Sequence, residues 1–131
     1  MTDGNNFVRV AMPVFENRIS PRFDCAPTLV LCDVAGQRVT DRKEIFCEGW
    51  SDIERISKLK EMKVDTLICG GLPSHLQGIL KNNGVNIIPW VAGNSDEIMK
   101  TFLQGKLNPG MVIGPEKGKK ERCKKDIKDA K

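Results

Sequence analysis

Val64-Asp-Thr-Leu-Ile-Cys-Gly-Gly71 is a short apolar run that stops on two glycines. Its length and apolar content, between a charged helical segment and Gly-Gly, predict a buried parallel strand. The glycines permit a sharp turn and a close backbone approach. Leu72-Pro73-Ser74-His75 follows, and a helix is expected to begin there. A thiol (Cys69), a bare turn, a helix N-terminus and the single histidine, His75, therefore fall within seven residues. This stretch is read as the floor of a functional site.

Upstream of it, Ser51 and Glu54 have the spacing of a capping box, which opens a helix. Ile53, Ile56, Leu59 and Met62 recur at helical spacing and are expected to face a sheet. Downstream, residues 73–83 form the next helix, with Leu76, Ile79 and Leu80 inward and Gly84 as its stop. Residues 85–88 form a strand ended by Pro89, and residues 90–94 a loop. Ser95 is expected to cap a last helix, with Asp96 and Glu97 in the first turn. Ile98, Met99, Phe102 and Leu103 give it an apolar side, and Gly105 ends it.

Nearer the start, residues 7–14 read as a valine-rich strand, limited by Pro13 because proline cannot donate to an interior ladder. Residues 15–27 form a long loop, a length often tied to function. Strands 28–34 and 38–46 are joined by a glycine-containing hairpin loop and are antiparallel neighbours. The order β-β-β-α-β-α-β-α gives an α/β fold, a mixed five-stranded sheet with helices packed on it. Residues 1–107 are read as the domain and residues 108–131 as a linker and basic flexible tail.

Of the 21 basic and 17 acidic residues, eight and four lie in residues 116–131, which leaves 13 of each in the other 115. The net charge of +4 thus belongs to the tail. A neutral domain argues against nucleic acid as the partner of the fold itself. No run approaches the ~18 apolar residues of a membrane span. The opening residues carry neither a basic n-region nor an apolar h-region, so a cytoplasmic protein is expected. Five cysteines without a Cys-x-x-Cys pair suit free thiols in a reducing compartment.

Strand direction then brings groups together. If the first strand runs up, the second runs down and the other three run up. The chain leaves the upper, carboxyl edge four times: at residues 15–27, 47–50, 70–75 and 90–94. Three exits carry a cysteine (Cys25, Cys47, Cys69) and one carries His75. Ligands bind at this edge in open α/β sheets. Thiolates with an imidazole suit zinc, copper(I) or iron–sulfur-type clusters. Cys25, Cys47, Cys69 and His75 are therefore the candidate metal ligands. Cys32, inside a strand, is read as a small core hydrophobe, and Cys123 lies in the tail. Trp50 and Trp90 are read as hydrophobes that anchor loops.

Several stretches carry a family resemblance: Val10-Ala-Met-Pro-Val14, Ser20-Pro-Arg-Phe23 with Ala26-Pro27, Val64-Asp-Thr-Leu-Ile-Cys-Gly-Gly71, Gly84-Val-Asn-Ile-Ile88, and residues 96–107 with Phe102-Leu-Gln-Gly105. In order and spacing the chain resembles the dinitrogenase iron–molybdenum cofactor carrier and biosynthesis family over residues 7–107. The resemblance implies a ribonuclease-H-like fold and a non-catalytic carrier or scaffold for an iron–molybdenum or other metal–sulfur cluster. Cluster donor and acceptor proteins are the partners it implies, and a homodimer is compatible with it. Arg22 would pair with an anionic cluster, and Gly70 and Gly71 would give backbone access. The chain departs from the family at Asp24, where glycine is common. It departs again at Cys47, in a loop where histidine is frequent, which shifts that position toward thiophilic metals.

Two other readings are weighed. A thiol enzyme would need a cysteine and His75 within hydrogen-bond reach and an oxyanion site. An interaction module would act through its basic tail. Ribonuclease H chemistry needs several carboxylates around metal ions; the central strands offer Asp33 and Asp65.

Overall fold

The computed structural model describes residues 7–113. Eight strands and three helices follow one another as β1 (Phe7–Phe15), β2 (Arg18–Ile19), β3 (Thr28–Ala35), β4 (Arg38–Phe46), α1 (Asp52–Glu61), β5 (Thr66–Ile68), α2 (Ser74–Asn82), β6 (Asn86–Ile88), β7 (Ala92–Gly93), α3 (Ser95–Leu103) and β8 (Val112–Ile113). The main sheet has the order β4-β3-β1-β5-β6, with β2 paired to β1. β3 runs antiparallel to β1 and β4, while β1, β5 and β6 are mutually parallel. The expected mixed sheet and its strand directions are present.

Strand parity sorts side chains into two cores. Ala11, Leu29, Leu31 and Leu67 face α1 and α2. Val10, Met12, Val30, Cys32 and Ile68 face the side covered by Ile98 and Met99 of α3. The register puts Val10 opposite Cys32 and Met12 opposite Val30, so one face stays uniformly apolar. At the lower edge Arg9 ties the layers together. Its guanidinium bonds Asp33 at 2.7 and 3.2 Å and Met62 O at 2.8 Å, and the Arg9 backbone N–H donates to Asp65 Oδ2. The two carboxylates weighed for metal-ion chemistry are thus engaged by Arg9, at the edge opposite the candidate site.

Several details differ from the sequence reading. The long first loop contains β2 and a single 3-10 turn, Phe23–Cys25. The α1 capping box is present, but the inward residues are Arg55, Ile56 and Leu59, and Ile53 is 68% exposed. Ile79 of α2 is also exposed, whereas Leu76 and Leu80 are buried. Asn94 rather than Ser95 caps α3, accepting from the N–H groups of Asp96 and Glu97. The chain stays in the fold past Leu107, because β8 pairs in parallel with β7. The rest of the expected tail, with Cys123, lies outside the described residues.

The α1 cap gives a direct test. Ser51→Ala removes an acceptor for Glu54 N–H and is expected to cost about 1 kcal/mol in urea denaturation. Ile53→Ala is expected to stay within about 0.5 kcal/mol, as an exposed position should. A larger loss at Ile53 would mean that its face of α1 is covered.

Candidate functional site

The carboxyl edge is built by backbone pairing around Gly70 and Gly71. Gly71 N–H donates to Pro21 O (2.6 Å) and Phe23 N–H donates to Gly71 O (2.9 Å). On the other side Trp90 N–H donates to Gly70 O and Val91 N–H to Cys69 O, both at 2.9 Å. The first loop and the β6–β7 connection are therefore clamped onto the same two residues. A Cβ on Gly70 would stand 2.5 Å from Ser20 O and 2.7 Å from Pro21 O. Close packing of backbone on backbone is why Gly70 is glycine. The two glycines were expected to open the backbone to a ligand. Instead the Gly71 N–H is occupied, and a neighbouring loop fills the space beside Gly70.

The clamp leaves a cleft of about 460 Å³ between three connections: Pro21 and Arg22 of the first, residues 71–74 of the second, and Trp90 of the third. Trp90 does not anchor its loop in the core. It is 61% exposed, with a left-handed φ of +62°. A bulky residue in that region stores roughly 1–3 kcal/mol of strain, and here the conformation sets the indole against Gly71. Trp50, by contrast, packs on the core beneath the β4–α1 connection. Arg22 is mostly exposed and forks onto Asp24 at 3.1 and 2.8 Å. That bonding, and the Asp24 charge, raise its pKa further.

The four candidate metal ligands do not assemble. Cys25 ends the 3-10 turn and is exposed, and His75 is exposed in the first turn of α2. Cys69 continues the parity of Leu67, points into the α1/α2 core and is fully buried; burial pushes its thiol up to about 12. Cys47 continues the parity of Ile45 and is also buried. Its Sγ donates to Ala26 O at 3.3 Å and receives a hydrogen bond from Arg55 Nη1 at 3.3 Å. Burial raises the Cys47 pKa against the opposing Arg55 charge. Among the described residues, no three His, Cys, Asp or Glu side chains are grouped to hold a metal ion.

Arg55 is the residue that the sequence reading passed over. It is 5% exposed and donates to Ala26 O (2.8 Å), Phe23 O (3.4 Å) and Trp50 O (3.2 Å) as well as to Cys47. It thus pins the 3-10 turn and the β4–α1 connection from beneath. A signal for it existed, since position 55 lies four residues before Leu59 on the inner face of α1.

A mixed sheet with a cleft at its carboxyl edge, open between three connections, defines a small α/β domain. The sequence pattern of the family described as "Dinitrogenase iron-molybdenum cofactor" matches residues 6–105, and the chain belongs to that family. An uncharacterised protein of Methanocaldococcus jannaschii, MJ0580, is 21% identical over 105 residues, covering 76% of this chain and 89% of its own. The crystal structure of PH0822 superposes with a TM-score of 0.73 at 19% identity, covering 78% of this chain and 94% of that one. The apo form of the orange protein from Desulfovibrio gigas gives 0.63 at 17% identity, covering 77% and 91%. No helix among the described residues is long and apolar enough to cross a membrane.

Two outcomes test this geometry. Gly70→Ala should lose about 1–3 kcal/mol of stability, because the obstructing atoms are backbone. The Cys69 thiol, raised from 9.0 to about 12, fixes the sign of a pH effect. Below pH 9 both folded and unfolded states keep the proton; above it the unfolded state loses it first. Stability is therefore intact below about pH 9 and falls between about 9 and 12, and Cys69→Ala should flatten that fall in urea titrations. An equal fall in the variant would mean that Cys69 does not titrate this way.

Proposed function

We propose that this chain is a non-catalytic carrier of an anionic metal–sulfur cluster of the iron–molybdenum type, with the cluster as transient cargo. The observation that carries the reading is the carboxyl-edge cleft, with the Arg22 guanidinium on one side and the exposed Trp90 indole on the other. Arg22, by exchanging Asp24 for the cluster, would favour a polyanionic cargo, and a flat aromatic wall would remove water from one face of it. The membership of the chain in a cofactor family supports the same cargo.

The chemistry of the thiols shapes the mode of binding. Cys47 and Cys69 are core groups and hold their protons, so they offer no ready thiolates. Cys25 and His75 are the donors of the expected set that solvent, and hence cargo, can reach. Charge, shape and at most a few accessible donors then hold the cluster, which suits a carrier that must release it. Donor and acceptor proteins would approach this same edge.

A thiol enzyme fits less well. Among the described residues His75 makes no hydrogen bond to a cysteine, and the Cys69 thiol is protonated at neutral pH.

The test is anaerobic incubation of the full chain with iron, sulfide and molybdate, followed by desalting, metal analysis and a visible spectrum. A coloured, stoichiometric species is expected. Arg22→Ala should weaken its retention about tenfold, the scale of one lost charged hydrogen bond, and Trp90→Ala should also weaken it. Retention in both variants together with loss in Cys69→Ser would replace cleft binding by core thiolate ligation. A colourless, metal-free product would overturn the carrier reading.

A further inference from the structure

The opposite face of the sheet carries a second set of soft donors. There α3 is the one helix, among the described residues, that covers the strands, and a cleft of about 260 Å³ remains between it and β4. Three sulfur-bearing side chains line that cleft, from three different elements: Met12 of β1, Cys32 of β3 and Met99 of α3. Met12 lies two residues along β1 from Val10, the register partner of Cys32. Met12 and Cys32 are therefore diagonal neighbours on one face, within reach of long side chains. Met99 closes over them from the helix. Arg42, Asp96 and Lys100 complete the polar part of the lining.

We propose that Cys32, Met12 and Met99 form a binding site for one soft monovalent metal ion, copper(I), separate from the carboxyl-edge cleft. One thiolate with two thioethers is a donor set that selects copper(I) over harder ions. Methionine is unbranched and flexible, so its sulfur can move onto an ion that enters the cleft. The exchange balances: the Cys32 S–H bond breaks, a Cys32 S–Cu bond forms, and the proton passes to solvent. No electron moves, and the charge in the cleft is unchanged. That neutrality matters beside Arg42 and Lys100. A divalent ion would add one net positive charge to a lining that already holds Arg42 and Lys100 against Asp96. Burial raises the Cys32 pKa and the Arg42 charge opposes it, so Cys32 enters the exchange as a thiol.

The experiment uses the full chain with Cys25→Ser and Cys123→Ser, to remove an exposed thiol and the tail thiol. Copper(I) is titrated anaerobically against a chromophoric copper(I) chelator. One equivalent per chain is expected, with a sulfur-only first shell at the copper absorption edge. Cys32→Ser should abolish that equivalent. Met12→Leu and Met99→Leu conserve volume and so keep the fold; each should weaken binding about 10–100-fold. Arg22→Ala should leave it unchanged, which separates this site from the proposed cargo cleft. Failure to take copper from the chelator, retention of full affinity in both leucine variants, or equal affinity for zinc(II) would each overturn the proposal.

Discussion

The pairing of Gly70 and Gly71 with the backbone on both sides is the constraint on which the upper edge of this fold depends. A parallel sheet ordinarily ends where its strands end, and its loops then diverge. Here β5 is only Thr66–Ile68, yet its hydrogen bonding continues through Cys69, Gly70 and Gly71 to Pro21 and Phe23 on one side and to Trp90 and Val91 on the other. Two connections are thereby brought over the end of the sheet, and the space between them becomes the cleft. The approach is close enough that a side chain at Gly70 would collide with backbone oxygens. The glycines therefore act as structure first, and they create the site by what they allow to pack beside them.

A second support comes from beneath. Arg55 brings a full charge into the α1/α2 core without a carboxylate among its bonded partners. Carbonyls of the 3-10 turn, the Trp50 carbonyl and the Cys47 sulfur share its donors. Removing the guanidinium would leave several buried acceptors unmet, at about 1–3 kcal/mol each. The position of the Arg22–Cys25 segment thus rests on α1 below and on Gly71 beside it. Neither contact uses the Arg22 or Cys25 side chain, so the frame of the site can be rigid while both side chains stand at the surface.

Much of this was legible in the sequence, for reasons that differ by element. The strands and helices could be read because their apolar periods are clean and their ends carry punctuation: Ser51 with Glu54, Gly84, Pro89. Strand direction, and with it the edge that carries the site, followed from the hairpin and the two helical crossovers. The α3 cap was misplaced by one residue because Asn94 and Ser95 are both good caps and only the backbone conformation decides between them. β8 was missed because two residues of strand leave no period to detect, and Val112–Ile113 sits among turn formers. Arg55 was missed because a charge on an apolar helix face reads as an exception to the pattern rather than as part of the core.

The thiols are the instructive case. Cys25, Cys47 and Cys69 do come to one edge of the sheet, but an edge has an inside and an outside. Parity decides between them. Cys69 stands two residues after Leu67, and Cys47 two after Ile45, so each inherits the inward direction of its strand. Cys25 is the last residue of a 3-10 turn, which breaks that inheritance, and it is exposed. Burial raises both thiols, and both are closed into the α1/α2 core. The same parity applied to β3 turns Cys32 toward the α3 side, where Met12 already lies and where the helix leaves the sheet incompletely covered. Which cysteines can meet a metal is therefore set less by the loop each one stands near than by which face of the sheet its strand delivers it to, and by how completely that face is closed.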